Sequence, residues 1–378
     1  MHLPDPSLLY VTLGTMAGNM IEGIPIWTML IGQSGSGKTK MLKSLLKLPR
    51  VVAVGSMKGE ASFLSGTSRR EKAKDATGGV LNKLGDNGCI AYMDFTTLIS
   101  KGENVVNEIL GALRELFDET YQREVGTEGG RTIEHKGRVN LIAGCTPAID
   151  RAAEVNGEMG QRTLYYRLPK TSGYQESSSA LRSKNIKQDT EDMQDMVASM
   201  FYALDLTMEK VSVRREMNVT EVDRVVSLAM VGCTLRGTIP RHWKNREVDD
   251  VAAVEVASRY SQQLGQLFLG MEALGLDEPD CWEVLEKIIL DGMPQIRRAA
   301  LQAVIDGKAN GGMRVSTAAV SRVVKVSESA ASRTLEDLYI LGVVERMTAV
   351  SGESGKKLES WKLTDWAEER FKKVGVEG

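Results

Sequence analysis

One stretch of the chain has the residue types and spacing needed to hold phosphate: Gly32-Gln33-Ser34-Gly35-Ser36-Gly37-Lys38-Thr39. Glycines allow the backbone turns that aim successive N–H groups at one anion. The lysine can reach outer phosphates, and the threonine hydroxyl next to it can ligate a divalent cation. The pattern G-x-x-x-x-G-K-[ST] is informative only between a strand and a helix. Both are predicted here. The run Pro25–Ile31 is apolar and leads straight into the loop, and Met41, Leu42, Leu45, Leu46 and Leu48 recur at helical spacing over Thr39–Leu48. The start of that helix adds a dipole that favours anions. The expected ligand is a nucleoside triphosphate, ATP, with Mg²⁺. Gly32, Gln33, Ser34, Gly35, Ser36, Gly37, Lys38 and Thr39 would form its cradle, with Lys38 at the β- and γ-phosphates and Thr39 on the metal.

Such a site needs an acidic partner for the metal at the end of a neighbouring strand. The run Cys89-Ile90-Ala91-Tyr92-Met93-Asp94 has the short apolar form of a buried parallel strand and ends in a carboxylate. Asp94 is therefore the second metal ligand. The next residue is Phe95, where many ATPases of this kind place a glutamate that orients the attacking water. Glu60, Glu115 and Asp118 are the alternatives. Glu60 is preferred because it follows the predicted strand Val51–Val54. A third strand, Arg138–Thr146, ends just before Pro147, so the Thr146 hydroxyl is a candidate γ-phosphate sensor.

These pieces are followed by Gly160-Gln161-Arg162-Thr163-Leu164-Tyr165-Tyr166-Arg167-Leu168-Pro169. That run resembles the arginine-finger segment of AAA+ ATPases, particularly the R-x-x-L-Y-Y-R-L stretch of bacterial enhancer-binding activators. The resemblance implies that Arg162 enters a neighbouring subunit's site and neutralises transition-state charge, with Arg167 a second phosphate or interface contact. It therefore implies a homo-oligomer, a ring or filament. Over 50–170 the chain is also similar to the ATPase part of phage- and plasmid-type replication or helicase proteins, through Ala76–Leu81, Asp94–Thr97, Leu113–Glu115 and Val125–Thr127. It lacks G-A-F-T-G-A, the sigma-contact loop of the activators, which argues against that activity. The resemblance also implies a helical lid. Within it Glu255–Arg259 resembles the sensor-2 region of helicase-type proteins, making Arg259 a nucleotide contact ahead of Arg236 and Arg241.

The elements that must position these residues divide the chain into four parts. Residues 1–170 form an α/β P-loop core with a parallel sheet, opened by a helix near 6–20. Residues 171–190, rich in Ser, Lys and Gln, read as a linker. Residues 191–290 are helical in pattern and form the lid. Residues 291–378 read as a winged helix-turn-helix: helices over Arg297–Ile305, Ser316–Val324 and Glu328–Leu341, then strands Val343–Met347 and Leu358–Leu363 around a loop at 351–357. Ser327 is the expected N-cap of the third helix and Gly342 its stop. That helix would enter a DNA groove with Ser329, Ser332, Arg333 and Glu336 outward. Arg322 and Lys325 would flank it, and Lys356 and Lys357 would sit in the wing. Glu336 and Asp337 leave this face only mildly basic.

Net charge is −2, so nucleic-acid binding must rest on local patches. Aromatic residues are only 5% of the chain, which leaves its cores to aliphatic side chains. Cys89, Cys145, Cys233 and Cys281 form no CxxC pair and lie in apolar runs, so they read as buried thiols in a reducing cytosol. The apolar stretch 7–31 is broken by Asn19, Glu22 and Pro25 and follows no basic segment, so neither a signal peptide nor a membrane span is expected. The function expected is an oligomeric ATP-driven motor on DNA, helicase-like, in replication or mobile-element maintenance. The alternatives are a helicase loader or initiator with a replication protein as partner, and an ATP-controlled transcription regulator.

Overall fold

A computed structural model describes residues 5–65, 78–126, 130–151, 162–170, 173–182, 185–242, 244, 247–309, 314–350 and 357–375. They fall into two compact units, Met1–Glu216 with Gln262–Val284, and Met217–Ser261 with Leu285–Gly378. Among the described residues no helix is long and apolar enough to cross a membrane.

The first unit is built on a parallel sheet of five strands: β1 (Trp27–Ile31), β2 (Val51–Val54), β3 (Asn87–Tyr92), β6 (Arg138–Cys145) and β7 (Leu164–Arg167). A polar hairpin, β4 (Gln122–Val125) with β5 (Arg131–Glu134), stands apart from it. The sheet order is β2-β3-β6-β1-β7, with every neighbouring pair parallel. This is an α/β fold built on a parallel sheet. Every residue of β1, β3, β6 and β7 is buried, which fits their largely apolar sequences.

The helices of this unit before residue 217 are α1 (Ser7–Gly18), α2 (Lys38–Ser44), α3 (Leu81–Leu84), α4 (Thr96–Ile99), α5 (Glu103–Phe117), α6 (Tyr174–Arg182) and α7 (Ile186–Ala203). α5 buries Val106, Ile109, Leu110, Leu113 and Leu116 at helical spacing. Phe117 at its end meets Trp27 edge-to-face, with ring centroids 5.1 Å apart. Where the strands begin, the buried Arg138 guanidinium donates to the carbonyls of Ile21, Gly23 and Asn19, and Asn140 donates to Asn87. The network satisfies backbone groups that would otherwise be buried without partners.

Two expectations change here. Residues 171–190 are not a plain linker, because they hold α6 and the start of α7, which Asn185 caps by accepting from the Gln188 amide. Leu181 and Ile186 are exposed, so this stretch needs no apolar stripe to be helical. The expected lid, 191–290, is shared between the two units, with 217–261 falling in the second.

The remaining helices in chain order are α8 (Val219–Arg236), α9 (Ser258–Ala273), α10 (Glu278–Asp291), α11 (Gln295–Ala309), α12 (Thr317–Val324), α13 (Glu328–Ile340) and α14 (Asp365–Lys373). α11, α12 and α13 pack on an antiparallel sheet of β8 (Val315–Ser316), β9 (Val344–Val350) and β10 (Lys357–Leu363), in the order β8-β10-β9. This is the expected winged-helix arrangement. Ser327 caps α13 by accepting from the Ala330 amide, and Gly342 follows the helix at φ +72°. Ala331, Leu335, Leu338 and Trp361 are buried between helices and sheet, and the Trp361 indole donates to the Thr317 hydroxyl at 2.9 Å.

Candidate nucleotide cleft and nucleic-acid face

Parallel strands end on one side of a sheet, and that edge is where such folds place ligands. Register fixes which residues meet there. Ile31 lies beside Cys145, and Tyr92 beside Ala143. The ends are tied together: the Gly32 amide donates to Cys145 O at 3.0 Å and the Phe95 amide to Gly144 O at 2.7 Å. The loop after β1, the end of β3 and the end of β6 thus converge on one cleft of about 340 Å³. It is lined by residues 34–40 with Met93, Asp94 and Thr146.

The loop geometry depends on its glycines. Gly35 and Gly37 have φ of +82° and +89°, left-handed values that side chains resist. Gly37 caps α2 directly, so the helix opens onto the cleft. Lys38 is buried beneath the loop, and its Nζ donates to Gly32 O at 2.6 Å, Gln33 O at 2.7 Å and Ser36 Oγ at 3.2 Å. Burial holds its pKa below the ordinary lysine value, against the opposing pull of Asp94 and Cys145. Thr39 and Asp94 are exposed on the cleft wall. A hydroxyl and a carboxylate there are the hard oxygen donors that Mg²⁺ accepts alongside nucleotide phosphates. Among the described residues no cluster of three His, Cys, Asp or Glu could hold a metal alone.

The sequence reading missed Thr96. Its amide donates to Asp94 Oδ1 at 3.0 Å. Its hydroxyl donates to Thr146 Oγ1 at 3.2 Å and accepts from the Thr146 amide at 3.0 Å. Thr96 therefore joins the metal-side carboxylate to the proposed sensor. The available signal was a hydroxyl two residues beyond a strand-ending Asp.

Other expected site residues stand elsewhere. Glu60 is not among the residues lining the cleft. It lies on a short 3-10 turn, accepts from the Tyr121 hydroxyl at 3.0 Å and faces Arg123 at 3.5 Å. Burial and the Glu60 carboxylate together push the Tyr121 phenol well above its ordinary range. Phe95 is fully buried against Tyr92, so its position belongs to the core. Glu115 and Asp118 do not line the cleft either. Arg162 pairs with Asp118 at 2.7 Å and lies 5.8 Å from the centre of the Phe117 ring. Arg167 is buried and bonded through both terminal nitrogens to Asp150. Arg259 lies in the first turn of α9 and Arg236 over the Tyr260 ring, both among the residues of the second unit.

On the winged helix, Arg322, Lys325, Ser329 and Arg333 are exposed. Lys325 ends α12 at φ +61°, in the left-handed region. Ser332 is half-buried, its hydroxyl 3.5 Å from Glu359 on β10, so it belongs partly to the helix–wing contact. Lys357 opens β10, whereas Lys356 lies outside the described residues. Glu336 and Asp337 are not bare acids on this face. Arg241 bonds both, at 2.9 and 2.6 Å, and Arg297 approaches Asp337 at 3.5 Å.

No family model and no curated protein matches the chain. Among solved structures, it is similar to the ORC1 protein of Aeropyrum pernix in complex with DNA. That match has 14% identity over 99% of this chain and 93% of the other, with a TM-score of 0.27.

Proposed function

We propose that this chain binds ATP with Mg²⁺ and acts on DNA as an ATP-controlled initiator or helicase loader in replication or mobile-element maintenance. The observation that carries this reading is the cleft's composition. Asp94 is the one carboxylate among the described residues lining it, and the following position is a buried phenylalanine. The glycine loop, Lys38, Thr39 and Asp94 support binding of phosphate and metal, and among the described lining residues there is no second carboxylate to orient water. Such a site favours slow turnover and long-lived ATP states, which suit a switch better than a translocating motor. The winged helix in the same chain supplies the DNA-facing element.

The residues have distinct tasks in this scheme. Loop amides from 33 to 39 hold the phosphates, and Lys38 turns from its loop carbonyls to the β- and γ-phosphates. Thr39 and Asp94 would hold Mg²⁺, whose positive charge would offset that of the phosphates. Thr146, positioned by Thr96, senses the γ-phosphate. Arg162 exchanges Asp118 for a neighbouring subunit's nucleotide, so hydrolysis requires a homo-oligomer. A replication protein is the expected further partner.

The test is ATP hydrolysis by the purified protein alone, with single-stranded DNA and with duplex. Turnover on the order of 10⁻² per second is expected, as for other switch NTPases. Lys38→Ala is expected to be inactive, and Arg162→Ala mixed into wild type to lower activity beyond simple dilution. DNA-stimulated turnover of many per second would replace the loader with the motor. Hydrolysis by Lys38→Ala at the wild-type rate would remove the cleft from the scheme.

A further inference from the structure

The second unit contains a hairpin that lies outside the winged-helix motif. Thr238 and Ala253 exchange backbone hydrogen bonds, the Asp249 amide donates to Pro240 O, and the His242 amide donates to Glu247 O. Two chain segments therefore run antiparallel from 238 to 253. The turn between them carries the exposed Lys244. On one arm, the Arg241 guanidinium is tied to α13, with Nε donating to Asp337 at 3.1 Å. Its Nη2 donates to Glu336 at 2.9 Å, to Asp337 at 2.6 Å and to the Arg333 carbonyl at 3.3 Å. Only 12% of its side chain is exposed. From the other side Arg297, also buried, donates to the carbonyls of Leu235 and Gly237 at the hairpin's root and faces Asp337.

Glu336 and Asp337 are the two carboxylates in the second half of the helix that would face DNA. Left alone, they would oppose a phosphate backbone. We propose that the 238–253 hairpin is a charge-cancelling brace of the nucleic-acid face, with Arg241 as its positioning residue. The brace neutralises the acids in the second half of α13, so that Arg333, flanked by Arg322 and Lys325, is the outward charge there, with the exposed Glu328 confined to the helix's first turn. Charge cancellation rather than packing is the function assigned to it. This inference rests on the DNA reading of the winged helix.

Fluorescence anisotropy on a labelled duplex and a labelled single strand, at several salt concentrations, tests it with the full chain. Arg241→Gln is expected to weaken binding about tenfold at low salt, and less at high salt as screening takes over. Arg241→Lys keeps the charge but loses the fork, and is expected to stay within about threefold of wild type. Adding Glu336→Gln to Arg241→Gln should recover most of the loss. Glu336→Gln alone leaves Arg241 in place and should bind at least as tightly as wild type, which keeps the test decisive if Arg241 variants fold poorly. Equal losses in the Gln and Lys variants, or no recovery in the double variant at unchanged thermal midpoint, would make the hairpin a packing element and overturn the proposal. Wild-type protein that binds neither DNA form would remove the DNA reading and the brace with it, a result distinct from failure of the variants alone.

Discussion

The nucleotide cleft and the winged helix handle charge in opposite ways. In the cleft, the chemistry comes from a few adjacent residues and from backbone geometry. Lys38 reaches carbonyls five and six residues before it, and Gly35 and Gly37 supply the turns. On the winged helix, the charge facing outward is a sum over distant segments, since Arg241 and Asp337 are 96 residues apart in sequence. A phosphate-binding loop is thus a local object that mutation breaks at one point. A nucleic-acid face is a distributed one, tuned by residues that need not touch the ligand.

The largest break in this contrast is expected at Lys38. Lys38→Ala should lower hydrolysis by about a thousandfold, the scale of losing a preorganised charge at the transition state, as read by phosphate release, with the thermal midpoint little changed. Trp361→Ala should act the other way round. It empties a fully buried site and loses the bond to Thr317, costing about 3–5 kcal/mol. Circular dichroism melts should show a destabilised winged helix, while ATP affinity by calorimetry is retained. Thr96→Val should be intermediate. It leaves the Thr146 amide without its acceptor, worth about 1–3 kcal/mol, and is expected to slow hydrolysis at nearly unchanged KM, with Thr96→Ser restoring it. The smallest effect is expected at Ser327→Ala, where loss of the α13 cap should cost about 1 kcal/mol in denaturant melts.

The same contrast explains what the sequence made legible. The loop, β1, α2, the end of β3 and the end of β6 were readable because each is a short contiguous pattern with a fixed role. The winged helix was readable because its periodicity, the Ser327 cap and the Gly342 stop agree. β7 is hidden by its resemblance to a finger segment, although Leu164-Tyr165-Tyr166 is a buried, aromatic-rich run of strand type. The β4–β5 hairpin was missed because its residues are polar and give no apolar alternation. Glu60 was placed at the cleft from its position after β2. Its partners Tyr121 and Arg123 come from a segment some sixty residues later, which local pattern cannot reveal. Distance in sequence also hides the role of Arg241, which the resemblance offers as a nucleotide contact and the structure gives to α13.

The most direct test of the central claim is DNA affinity measured with ATP·Mg²⁺ and with ADP·Mg²⁺, for wild type and Lys38→Ala. An ATP-controlled switch requires wild type to bind DNA differently in the two nucleotides, and Lys38→Ala to lose that difference while keeping its basal affinity. Wild-type affinity that is the same in ATP, ADP and no nucleotide would contradict the account, because the cleft and the winged helix would then be working independently.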